Sequence, residues 1–243
     1  MSPDMIKAIG DAISSVAWPL IVLYLIISQR GAVSSILSNL DSFTLPGGVE
    51  AKLRKRVEKE SEAVLEEKFN DKIEVSERQL IAAESVRRAS LEGDISAVRN
   101  QIYDISREYE RVRSSMSSGD ARTRRMEIVM TKMRTLGLAA FPLLDELKES
   151  TSPGARLAAI AVLQVTPNIE YVEWLAERLK VEQPFVGYHA AVALDVAARV
   201  VNTDQHPRFL SAISEAKKYL GESRRNSDRW HMLDRAERQV LDQ

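Results

Sequence analysis

The side chains able to support catalysis or hold a metal are few and scattered. Of 243 residues only His189, His206 and His231 carry an imidazole, and cysteine is absent. The chain therefore has no disulfide framework, no thiolate metal site and no cysteine nucleophile. A zinc or di-iron site on helices needs ligands returning every three or four residues along one face. No histidine lies within helical reach of another, and no Glu-x-x-His pair occurs. Nucleophile elbows, phosphate loops and dinucleotide fingerprints are missing as well. The expectation is a protein that is not an enzyme and carries neither cofactor nor metal.

The most unusual local string is Pro184-Phe185-Val186-Gly187-Tyr188-His189. Phe185, Gly187, Tyr188 and His189 are candidates for a partner or ligand groove, because glycine admits a close neighbour while tyrosine and histidine offer polar tips. The plainer reading is a packing notch between helices. Asp195 and Arg199, spaced i, i+4, suggest an intrahelical pair. Arg122, Arg124 and Arg125 lack interleaved aromatics, and the formal net charge is −1, so they read as a solvated helix edge and no nucleic-acid partner is expected.

The elements that carry these residues read as helices. Ten glycines, eight prolines and 6% aromatic residues suit helices better than sheets. Pro153, Pro167, Pro184 and Pro207 each stand where a helix would begin, and Gly137 and Gly221 where one would end. The spans expected after residue 120 are 121–136, 139–149, 153–164, 167–180, 184–201, 207–220 and 224–241. Trp174 and Trp230 read as core or interface anchors.

Two stretches repeat with an offset of 32: Ala158-Ala159-Ile160-Ala161-Val162 matches Ala190-Ala191-Val192-Ala193-Leu194, and Leu143 and Leu147 match Leu175 and Leu179. Each unit is a leucine-striped helix, a proline-marked turn and an alanine-rich helix. Small alanines let helices approach, and a unit unable to bury its own face must stack on the next. This alternation resembles HEAT or armadillo-like repeats over about residues 121–221, with a period shorter than that family's. The resemblance implies an α-solenoid that binds another protein, and no activity.

Residues 49–116 read as a charged helical stalk. Lys52-Leu53-Arg54-Lys55-Arg56 suits either anionic headgroups or a solvated face balanced by the acids that follow. Asn70-Asp71 marks a turn, and Ser76-x-x-Gln79 a capping box opening a second helix. On it, Leu91, Ile95, Val98, Ile102, Ile105, Tyr109, Val112 and Met116 alternate in steps of four and three, a heptad seam. The seam suggests a homo-oligomeric coiled coil; the alternative is packing within its own chain.

Between Asp11 and Arg30 lie 18 uncharged residues, AISSVAWPLIVLYLIISQ. As a helix they would span roughly 27 Å, about the thickness of bilayer hydrocarbon. A transmembrane helix through Trp18, Pro19, Leu20, Tyr24 and Ile27 is the expectation, with the lipid bilayer as a partner. Lys/Arg asymmetry sets the C-terminal side in the cytoplasm. Residues 31–48, ending in Leu45-Pro46-Gly47-Gly48, form a juxtamembrane hinge.

The expected fold is thus all-α: an N-terminal tail and single transmembrane helix over 1–30, the hinge, the stalk, and a HEAT-like α-solenoid over 117–243, located at the inner or plasma membrane. The expected function is a membrane-anchored adaptor or scaffold holding protein partners. The alternative is a membrane sensor or effector of a bacterial defence or stress system acting through oligomerisation.

Overall fold

A computed structural model describes residues 48–68, 75–91 and 95–243. These residues are helical, with no β-strand among them. The α-helices are α1 (Gly48–Lys68), α2 (Glu77–Ser90), α3 (Ile95–Ser115), α4 (Asp120–Ala140), α5 (Leu144–Glu149), α6 (Pro153–Val165), α7 (Val172–Val181), α8 (Pro184–Ala197), α9 (His206–Leu220) and α10 (Asp228–Leu241). Short 3₁₀ turns precede α5, α7, α9 and α10.

The single-pass membrane architecture and its inner-membrane location require correction. Among the described residues no helix is long and apolar enough to cross a membrane. The longest, α1, α3 and α4 at 21 residues each, have the length but carry charged residues throughout. Trp18, Pro19, Leu20, Tyr24 and Ile27, the Asn70-Asp71 turn and all of the hinge but Gly48, which opens α1, lie outside the described residues. Among the described residues the all-α expectation stands.

Local signals explain most helix starts. Pro153 opens α6 and Pro184 opens α8, where a missing N–H costs nothing. Ser76, Ser152 and Ser227 accept the N–H three residues on in α2, α6 and α10. Gly221 ends α9 at φ +74°, a conformation costly for any residue with a Cβ. Two expectations shift. Gly137 lies inside α4, because a following helical turn and α6 packing extend it to Ala140. Pro167 precedes a 3₁₀ turn, and α7 begins only at Val172.

From α4 onward the helices form two rows. One contains α4, α6, α8 and α10, each packed on the next; in the other α7 packs on α9, and the pairs α5–α6, α7–α8 and α9–α10 join the rows. The offset of 32 falls on equivalent places. Ala158 to Val162 and Ala190 to Leu194 are all buried, in α6 and α8, and Leu143, Leu147, Leu175 and Leu179 are buried in the opposite row.

Residues 49–116 and 117–243, expected as separate stalk and domain, share one core. Leu53, Val57 and Val86 join the same buried cluster as the C-terminal helices. The heptad seam is filled from its own chain: Val98, Ile102, Ile105, Tyr109 and Val112 are buried, with α3 packed on α4 and α6. Met116 packs against that core in part. Leu91 and Ile95, 69% and 37% exposed, do not follow the register inward. Leu91 caps α2 rather than continuing it, its N–H reaching the Arg88 carbonyl at 3.3 Å.

Candidate partner-binding cleft on the α4–α6–α8–α10 row

Alanine-rich helices present few knobs, so the polar side chains between them stand out. On α4, Glu127 and Arg134 lie two turns apart and share a face. Arg134 is fully buried. Its Nε donates to Gln164 Oε1 of α6 at 2.6 Å, and its Nη2 lies 3.2 Å from His189 Nδ1 of α8. Gln164 Nε2 donates in turn to the His189 carbonyl at 2.7 Å. Three helices are thereby tied at one point.

A guanidinium only donates, so His189 Nδ1 must accept. The imidazole proton then sits on Nε2, which faces Glu127 Oε1 at 3.1 Å and donates to it. Glu127 is 21% exposed and supplies the nearest countercharge, reached through the imidazole. Among the described residues no carboxylate pairs with Arg134 directly, and its Nη1 has no hydrogen-bond partner. Burial therefore pulls the Arg134 pKa below its ordinary value, with Glu127 and Tyr188 acting the other way.

Of the residues singled out by sequence, Phe185 and Tyr188 meet His189 edge-on, with ring centroids 4.5 and 5.3 Å away, and Phe185 also stacks on Tyr109 at 5.9 Å. Burial raises the Tyr188 phenol pKa, helped by Glu127 and Asp228. Gly187 is buried, yet an added Cβ would find its nearest atoms at 3.7 Å, an ordinary contact. Phe185, Tyr188 and His189 come together as an aromatic cluster at the buried network, whereas Gly187 faces Leu179 and Arg178 of α7.

About one turn beyond His189 along α8 the row opens. Val192, Asp195 and Arg199 recur at steps of three and four, and with Val196 they form one wall of a cleft of about 190 Å³ between α8, the end of α6, α10 and the start of α2. Leu80, Val165 and Val200 add apolar surface. The polar floor is Gln164, Asp195 and Arg235. Arg235 grips Asp195 with both arms, Nε to Oδ1 and Nη2 to Oδ2, each at 2.6 Å. Arg199, expected as an intrahelical partner, lies in the turn after α8 and contributes a longer contact of 3.4 Å. Asp195 is thus a tie between α8 and α10 first, and a partner of the turn that follows α8 second.

A wider cleft, about 870 Å³ between α1, α3 and α4, has a different character. Arg54, Arg107, Arg111 and Lys132 face Glu58, Asp104, Glu108 and Glu110. Lys132 bridges Glu58 at 3.0 Å and Glu108 at 3.3 Å, and Arg54 pairs with Asp104 at 3.1 Å. The four bases and four acids balance, leaving no concentrated field for an ionic ligand. Among the described residues no group of three His, Asp or Glu side chains is placed to hold a metal. His206 opens α9 and His231 is exposed, each far in sequence from the network. Arg122 and Arg125 bond to Ser118 and Glu108, as members of a surface edge do.

Sequence reasoning missed Arg134, Gln164, Glu127 and Arg235. For two of them a signal existed: Gln164 is the lone polar residue in Leu157–Val165, and Arg134 interrupts a run that is otherwise apolar or small from Met133 to Ala140, apart from Thr135. A single polar group in such a run must find partners inside. Comparison with protein-family models, with curated proteins and with solved structures finds no match to this chain.

Proposed function

We propose that the chain is a non-catalytic helical scaffold that holds a protein partner against the α4–α6–α8–α10 row. The reading rests on one observation above others: the row carries a cleft that sets apolar surface from Leu80, Val165, Val192, Val196 and Val200 beside polar groups, of which Asp195 and Arg235 bond one another. Such a surface orients a partner without offering a nucleophile or a general base. At about 190 Å³ the cleft is smaller than the roughly 300–1,000 Å³ typical of small-molecule sites, so it suits a side chain better than a metabolite.

The pairing of α5 with α6, α7 with α8 and α9 with α10 supports reading these helices as stacked hairpins of HEAT-like type. In that arrangement one row is available to a partner along its length.

The test is site-specific photo-crosslinking in native lysate. A crosslinking amino acid at Val200, 52% exposed at the cleft, is expected to yield discrete protein adducts. The same group at Val181, 55% exposed at the end of α7, is expected to yield none of these. Equal adducts from both positions, or none from Val200, would refute the scaffold reading.

A further inference from the structure

The cleft beside α8 has a chemical bias that narrows what fills it, an inference that rests on the scaffold reading above. Its charged groups are Asp195, Arg199 and Arg235, one acid against two bases. Asp195 spends both oxygens on the short bidentate pair with Arg235. Arg199 reaches the same carboxylate only at 3.4 Å, through one nitrogen, and its side chain remains 46% exposed. A guanidinium carries five N–H donors in a rigid fork suited to a second carboxylate. The cleft therefore presents an unspent cationic donor directly beside the apolar surface of Val192, Val196 and Val200.

We propose that this cleft receives an amphipathic helical segment of a partner protein in which an apolar anchor, leucine or an aromatic residue, lies within one helical turn of an aspartate or glutamate. The anchor enters between Val165, Val192, Val196 and Leu80. The carboxylate takes the fork of Arg199. Helix-in-groove recognition reads anchors at this spacing, and the central anchor with a flanking charge pair is where binding energy concentrates.

The probe is a phage-displayed library of random twelve-residue peptides panned on the full chain. Selected sequences are then synthesised with both ends blocked and titrated by fluorescence anisotropy. The inference expects selected peptides to pair Leu, Phe or Trp with Asp or Glu within four residues. Replacing that acid by its amide should weaken binding to the wild-type chain about tenfold, as befits a half-exposed charge-assisted contact. The same change should have no effect on Arg199→Gln. Val200→Asp, an exposed position that spares the core, should abolish binding, and Val181→Asp should leave it intact.

Peptides that bind but ignore Arg199→Gln and Val200→Asp would overturn this inference and leave the scaffold reading standing. Binding that demands a free peptide C-terminus would overturn it in favour of terminal-carboxylate capture. Self-association of the chain that Val200→Asp reverses would overturn it in favour of a second copy. Failure to select any peptide would count against both readings.

Discussion

Gly154 and Gly187 both lie in the first helical turn of a buried-row helix, and replacing each by alanine should move stability in opposite directions. A Cβ on Gly154 would lie 2.3 Å from the Ser106 carbonyl oxygen and 2.9 Å from its carbon. Ordinary contact begins near 3.4 Å, so α6 would have to retreat from α3 by about 1 Å. The obstacle is backbone, which cannot rotate away. Retreat would loosen Ile102 and Tyr109 against Ala155 and Ala158, all within 1% of full burial. Overpacking of this kind costs about 1–3 kcal/mol, and the upper end applies here. The intrinsic gain from alanine in a helix returns at most about 1 kcal/mol. The net loss is about 2 kcal/mol, or about 4–8 °C in Tm for a chain of this size. At Gly187 the nearest atoms would be 3.7 Å away, so only the propensity gain of about 0.5–1 kcal/mol operates. Urea titration followed by circular dichroism at the helical band, with a thermal scan beside it, reads both. A Gly154→Ala chain as stable as wild type would refute the close approach of α6 to α3, and a Gly187→Ala chain less stable than wild type would refute the ordinary contact distance found at Gly187.

Two further outcomes are expected. Ile102→Ala should cost about 2–5 kcal/mol, because the residue is fully buried, whereas Leu91→Ala in the same heptad register should change stability by less than about 0.5 kcal/mol; equal effects in chemical denaturation would mean that the seam is buried by something other than this chain. Hydrogen bonds from Arg87, then Arg88, lower the Glu84 carboxyl pKa to about 2. Its contribution should therefore be complete above about 4.5 and fade as pH falls towards about 2, and in a carboxyl NMR titration Arg87→Gln should bring the midpoint back towards 4.5.

What could be read in advance was whatever a few neighbouring residues decide. Ser76 accepts from the Gln79 N–H as its spacing suggested, and Pro153, Pro184 and Gly221 punctuate helices where expected. Even here long-range geometry intervenes: the Gln79 side chain leaves the capping box and donates to Thr135 of α4 at 2.9 Å, inside the core. The seam illustrates the same limit. Its period shows that α3 has one apolar stripe, but a stripe does not say whether it meets a copy of itself or its own chain. Length and charge did mark 12–29 as apolar, yet the described helices offer no membrane span to support a single-pass architecture. The candidate site was the least legible. Phe185 to His189 flagged the right turn of α8, while Arg134 and Gln164, which tie that turn to α4 and α6, and Arg235, which ties Asp195 further along α8 to α10, lie 25 to 55 residues away from the groups they bind.

Those ties bear on a problem that alanine-rich packing creates. Smooth helices approach closely but can slide, since few side chains lock one register over the next. The Arg134–Gln164–His189 cluster crosses α4, α6 and α8 at a single level, and its geometry tolerates no slip. Its stability contribution is another matter, because a buried guanidinium without a direct carboxylate is costly. Gln164→Leu alone leaves the Arg134 Nε donor stranded and should destabilise by about 3 kcal/mol or more. The triple variant Arg134→Met, Gln164→Leu and His189→Phe removes the buried charge and its partners together. It should recover most of that loss or exceed wild type, a non-additivity of several kcal/mol. If register is what the cluster supplies, the triple variant should also show faster amide hydrogen exchange in α6 and α8 despite its retained Tm. A triple variant as unstable as the sum of its parts would mean that the cluster holds the row together by its own energy, and that the alanine surfaces need no separate lock.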